Sequence, residues 1–188
     1  MTTLNTNETT TNSLLDFGDI SMIITETSKT KEWLKLQETF NSKSTIVIVG
    51  HGGNLAVSDH MAADITRLSN YDKKTLCPGS AILATSFIND SSFDDWLVCW
   101  FKAQPIDYKN TLIIGISSSG RSKDIQNLFN YASNIGVYTS LITAKSSEII
   151  SSTQVVTKCK SYHGSELVAL GLGYQLVHGY GCVCPQIG

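Results

Sequence analysis

Charge is scarce in this chain. Of its 188 residues only 16% are Asp, Glu, Lys or Arg, and the formal net charge is −2. No cluster of Lys or Arg forms the basic surface that nucleic acid requires, so no nucleic-acid partner is expected. Long apolar runs are missing too. None approaches the roughly 18 residues of a membrane span, so no membrane partner is expected either. Residues 1–12, rich in Thr and Asn, have neither the basic nor the apolar stretch of a secretion signal. Their composition predicts disorder. The cysteines are Cys77, Cys99, Cys159, Cys182 and Cys184. An odd number at irregular spacing is not a disulfide framework. Cys182-Val183-Cys184 has no partner pair with which to hold a structural metal. Free thiols and a cytoplasmic location are the expectation. No internal repeat is visible. Residues 13–188 are expected to form a single domain, long enough for a real core.

What is present is an alternation of β-branched runs and helical periodicity. Ser44-Thr45-Ile46-Val47-Ile48-Val49 reads as a strand, and so do Thr111-Leu112-Ile113-Ile114 and the stretch from Val137 to Thr143. Thr75-Leu76-Cys77 and Val155-Val156-Thr157 read as short strands. Helices are expected from about Asp16 to Phe40 with a break near Ser28-Lys29-Thr30, from Asn54 as its N-cap to about Leu68, and from Phe93 to Ala103. Two more are expected from 122 to about 134 and from about Ser165 to Tyr180. Ala81 to Phe87 fits helix or strand, and Asn89-Asp90 reads as a turn. The last helix carries Gly171, Gly173 and Gly179, which predict close helix–helix approach. Strand and helix alternating at this spacing make an α/β fold, a parallel sheet with helices on both faces.

Two loops carry the chemistry. Gly115-Ile116-Ser117-Ser118-Ser119-Gly120-Arg121-Ser122 joins a strand to a helix whose apolar stripe is Ile125, Leu128, Phe129 and Ala132. Serine hydroxyls, unpaired backbone N–H groups and the positive end of a helix dipole suit an anion, above all a phosphate. An ordinary loop with a serine N-cap has the same composition. Gly50-His51-Gly52-Gly53-Asn54 is a second glycine-rich turn, and its helix places His60 and Asp64 on one face at i, i+4. Both loops leave the C-terminal ends of strands, where open α/β sheets bind ligands. The aromatic group Trp96, Trp100 and Phe101 reads as packing.

Taken together, these motifs resemble the sugar isomerase (SIS) domain family, and most of all its phosphoheptose isomerase branch. Gly50-His51-Gly52-Gly53-Asn54 with His60-Met61-Ala62-Ala63-Asp64 is similar to that branch's GNGGS…HFAAE. Gly115 to Ser122 is similar to its GISTSGNS, and Asn89-Asp90 lies between them as an Asn-Asp pair does there. The resemblance spans about residues 44–145. It implies a three-layer, five-stranded parallel sheet of flavodoxin/Rossmann-like build, a homotetramer and a phosphorylated sugar as ligand. It implies that Ser117, Ser118, Ser119 and Ser122 hold the phosphate, and that His51, Gly52, Gly53, Asn54, Asn89 and Asp90 line the substrate. His60, Asp64 and Glu166 are implied as ligands of Zn²⁺ or another divalent ion, with Asp64 and Glu166 catalytic. The implied reaction converts sedoheptulose 7-phosphate to D-glycero-D-manno-heptose 7-phosphate through an enediol. Three departures stand out. Asn54 replaces a serine, Asp64 replaces a glutamate, and in the last helix Glu166 stands at the branch's glutamine and Tyr174 at its histidine, with His163 one turn before Glu166 and His178 one turn after Tyr174. A phosphosugar-binding regulator without turnover is the rival reading, and an isomerase of another ketose phosphate is a third.

Overall fold

The computed structural model describes residues 16–187. The expected disorder of residues 1–12 falls outside them. Five strands build one sheet: β1 (Thr45–Gly50), β2 (Lys74–Leu76), β3 (Thr111–Ile116), β4 (Tyr138–Thr143) and β5 (Thr153–Val156). All neighbours pair in parallel, in the order β2-β1-β3-β4-β5. Side chains alternate along a strand, so each strand feeds two cores. Ile46 and Ile48 face one layer, with Leu112, Ile114 and Ile142 beside them. Val47 and Val49 face the other with Ile113 and Leu141.

Four helices cover the first face: α1 (Phe17–Thr27), α2 (Lys31–Ser42), α3 (Gly53–Leu68) and α7 (Tyr162–Gly179). The break between α1 and α2 falls at Ser28–Thr30, as the sequence predicts, because Thr30 caps α2 through the N–H of Trp33. The opposite face carries α4 (Ala81–Asp90), α5 (Trp96–Lys102) and α6 (Lys123–Asn134). Trp96, Trp100 and Phe101 are buried there as packing.

The α7 glycines do what their expense in a helix implies. A Cβ on Gly173 would fall 2.5 Å from Met61 Sδ on α3, and one on Gly171 would fall 2.4 Å from Ile24 on α1. These contacts let α7 lie against both helices. Three readings need correction. Asn54 is not the cap of α3; Gly52, at φ +55°, takes that position and Asn54 turns inward. Asn89-Asp90 is not a turn but the last two residues of α4. The last helix begins at Tyr162, three residues earlier than the periodicity suggests, because Ser161 caps it.

Candidate functional site

In the order β2-β1-β3-β4-β5 the direction of winding reverses between β1 and β3. That is the switch point at which open parallel sheets leave a crevice beyond the strand ends. Gly50 and Ile116 are register partners there, so the two predicted loops emerge side by side. They also touch: Asn54 Nδ2 donates to Ser118 Oγ at 3.1 Å, both residues being buried. Asn54 Oδ1 is buried with no hydrogen-bond partner among the described residues. Such an atom is expensive unless a ligand completes it.

The serine loop is shaped by Gly120, whose φ of +64° reverses the chain. Ser122 precedes α6 but does not cap it. Its hydroxyl meets Ser117 Oγ at 2.9 Å instead. The N–H groups of Ser118, Ser119, Arg121 and Ser122 make no hydrogen bond among the described residues. Unpaired amides, a run of hydroxyls and a helix start thus share one concavity, the chemistry of an anion cradle. A cavity of about 440 Å³ opens on one side of the loop, lined by Ser119, Arg121 and Lys145. Another of about 180 Å³ lies on the other side, lined by Ser118, Ser119, Lys145 and Lys160.

His51 begins the other loop. Its Nε2 lies 2.7 Å from Asp124 Oδ2, and the ring is flanked by Phe93 and Trp96. Nε2 is buried and the contact is not aligned as a hydrogen bond. Gly53 is required by its neighbour across the crevice: a Cβ there would sit 2.2–2.4 Å from the carboxyl atoms of Glu166. Glu166 therefore lies over the start of α3, at the level of the loops.

His60 and Asp64 lie elsewhere. Helices α3 and α7 run parallel, since Gly53 meets Glu166 and Met61 meets Gly173. At 1.5 Å per residue, Asp64 is about 16 Å further along α3 than Gly53. There the structure does bring His60 and Asp64 together, 3.2 Å apart, and closes the pair with Tyr174. The Tyr174 hydroxyl donates to Asp64 Oδ2 at 3.1 Å and lies 2.9 Å from His60 Nε2. Arg67 binds the other Asp64 oxygen at 3.0 Å. Burial by itself would push the Asp64 carboxyl up. The hydrogen bonds from Arg67 and Tyr174 and the charge of His60 outweigh it and hold the group below its ordinary value. Burial, and then the bond to Asp64, push the Tyr174 phenol up.

The expected zinc ligands are consequently not one set. Glu166 is eight residues before Tyr174 on α7, about 12 Å away along the axis. Among the described residues no three His, Cys, Asp or Glu side chains gather closely enough to hold a metal ion. His60, Asp64 and Glu166 do not fit a metal within one chain, and Asp64 and Glu166 do not face each other as a catalytic pair. Asn89 and Asp90 are exposed; the one side-chain hydrogen bond they make joins them to each other, not to either loop. Arg67 and Asp124 escape the motif reading. Arg67 sits at i+3 from Asp64, a spacing the sequence does display. Nothing in the sequence pairs Asp124 with His51.

Fold and site together define an open, parallel α/β protein with an anion cradle at its switch point. Solved structures of the same fold include two phosphoheptose isomerases. The one from Francisella tularensis has a TM-score of 0.75 at 11% identity, covering 87% of this chain and 93% of that one. The one from Neisseria gonorrhoeae has a TM-score of 0.71 at 15% identity, covering 88% and 94%. In sequence, the chain is 32% identical over 108 residues to the phosphoheptose isomerase of Helicobacter pylori strain Shi470, covering 55% of each. The chain thus spans about half the length of the curated relatives it matches. No family model matches it. Among the described residues no helix is long and apolar enough to cross a membrane.

Proposed function

We propose that this protein is a phosphosugar isomerase, and that it interconverts sedoheptulose 7-phosphate and D-glycero-D-manno-heptose 7-phosphate through an enediol. The observation that carries the reading is the serine loop. Its free amides and hydroxyls form an anion cradle beside Asn54 at the switch point of the sheet, and the curated relatives the chain resembles are named phosphoheptose isomerase. The phosphate is the anchor; binding energy gained there orients the far end of the sugar.

Isomerisation needs a base at the carbons beside the carbonyl. Two carboxylates stand for that role. Glu166 lies over Gly53, within the span of a sugar phosphate anchored at Ser118. Asp64 lies about 16 Å down α3 and is tied to Arg67 and Tyr174, which weakens it as a base. We place Glu166 at the substrate carbons of its own chain. Asp64 would serve only where a second subunit brings its own loops to that end of α3, which a tetramer of this chain could do.

Incubation with sedoheptulose 7-phosphate in deuterated water, with and without added zinc, tests the reading. An aldose phosphate carrying deuterium at C2 is expected. Glu166→Gln should keep binding and lose turnover by about 10²–10⁴-fold, the usual worth of a general base; the same loss in Asp64→Asn alone would move the base to Asp64. A protein that binds ketose phosphates yet forms no aldose phosphate and takes up no deuterium is a non-catalytic binder, and the isomerase reading then fails.

A further inference from the structure

Asp124 has no exposed surface, and a buried carboxylate is costly unless it is paired and hydrogen-bonded. Its partners are specific. Oδ1 accepts the N–H of Ile125 at 2.9 Å and Oδ2 accepts the indole N–H of Trp96 at 2.9 Å. His51 Nε2 stands 2.7 Å from the same Oδ2 and is its one ion-pair partner among the described residues. The His51 side chain keeps 32% of its surface exposed, so one end of the ring is buried on Asp124 and the rest faces the crevice. Its Nδ1 makes no hydrogen bond among the described residues and is not buried. Asp124 belongs to the first turn of α6, the helix that follows the serine loop, so the pair and the anion cradle share one rigid element.

We propose that His51, held by Asp124 and Trp96, is the catalytic acid/base that moves the proton between the two substrate oxygens. This rests on the isomerase reading above and gives the site its second proton-transfer group. Nε2 is closed off by Asp124, which leaves Nδ1 as the ring nitrogen open to a ligand. His51 packs on Asp124 of α6 and Trp96 of α5, on one side of the sheet, and Glu166 belongs to α7 on the other, so the two groups approach the crevice from opposite layers.

The steps balance. Glu166 takes a proton from C1, and that C–H electron pair becomes the C1=C2 bond. The C2=O π pair moves to O2, which takes a proton from His51 Nδ1. The same nitrogen then takes the proton of the O1 hydroxyl, and the O–H pair forms C1=O. The C1=C2 pair takes the proton from Glu166 at C2. One hydrogen has moved from C1 to C2, and both side chains return to their starting state. Asp124 and Trp96 are positioning residues.

The test uses the full chain with sedoheptulose 7-phosphate, and a phosphate-bearing hydroxamate as a mimic of the enediolate. His51→Gln should lower kcat by about 10²–10⁴-fold while KM changes less than about threefold. Trp96→Phe, which keeps the packing and removes one donor, should lower kcat without changing KM. In the wild type the ¹⁵N resonance of His51 Nδ1 should shift when the hydroxamate binds, a signal that a purely structural histidine would not give. Wild-type kcat in His51→Gln, or an unmoved Nδ1 resonance with the hydroxamate bound, overturns the role of His51 and leaves the isomerase reading intact. A wild-type protein inert toward ketose phosphates overturns both.

Discussion

Placing a carboxylate at position 54 tests the anion site with little change of shape. Asn54→Asp is nearly isosteric, and where Asn54 donates to Ser118 the new carboxylate can accept from the Ser118 hydroxyl. Asn54 is 8% exposed and its Nδ2 is 3.1 Å from Ser118 Oγ. A phosphate bound to Ser118 would put its charge about 5 Å from the introduced one. At an effective dielectric constant near 20, that repulsion is about 3 kcal/mol per unit of phosphate charge. Part is relieved when the new carboxyl takes up a proton. Affinity for a sugar phosphate should fall by about 10²–10³-fold, or about 3–4 kcal/mol. Asn54→Ser should bind within about tenfold of wild type, since it puts a neutral hydroxyl donor beside Ser118 and adds no charge. Calorimetry with sedoheptulose 7-phosphate reads both. Equal affinity in a folded Asn54→Asp protein would show that no phosphate sits at Ser118, and the argument built on the serine loop would fall.

Four further outcomes are expected. Lys73 is 2% exposed, and its ammonium donates at 2.8 Å to the carbonyls of Phe40 and Lys43 at the end of α2; Lys73→Met leaves those acceptors unpaired and should cost about 2–4 kcal/mol in urea unfolding. Burial lowers the Lys73 ammonium below its ordinary value, so in alkaline solution the unfolded chain holds more protons than the folded one; the Lys73 contribution to stability then rises with pH, and Lys73→Met should abolish that rise. Asp64 is held below its ordinary value, so the stability its partners give is present above that value and is lost as pH falls through the folded one; Tyr174→Phe removes one donor and should move the Asp64 titration upward, as read by carboxyl ¹³C NMR. Light scattering should give about four chains per particle, as a closed symmetric assembly, and a stable monomer at working concentration would remove the tetramer from the proposal.

Local chemistry made much of this molecule legible. The β-branched run before Gly50 and the one before Gly115 could be little but buried strands, and each loop after them carries its own turn residues, so the α/β class and the paired loops follow from short-range preference. The break at Ser28–Thr30 is likewise local, a threonine cap. Gly171 and Gly173 announced a close approach, but only packing named Ile24 and Met61 as what approaches. The site divides in the same way. His60 and Asp64 share a helix face, and one turn of geometry suffices to join them. Glu166 and Tyr174 also share a helix, yet no spacing rule says which end of α3 each one meets. That is set by α3 and α7 running parallel, and it parted Glu166 from the pair it was expected to complete. Asp124 and His51 are separated by more than seventy positions in the sequence. Only the register of β1 against β3, and the seating of α6 on the far face, brings a buried carboxylate to that imidazole. Pairing of this kind belongs to tertiary structure, because the free energy of a buried charge depends on what surrounds it and not on its neighbours along the chain.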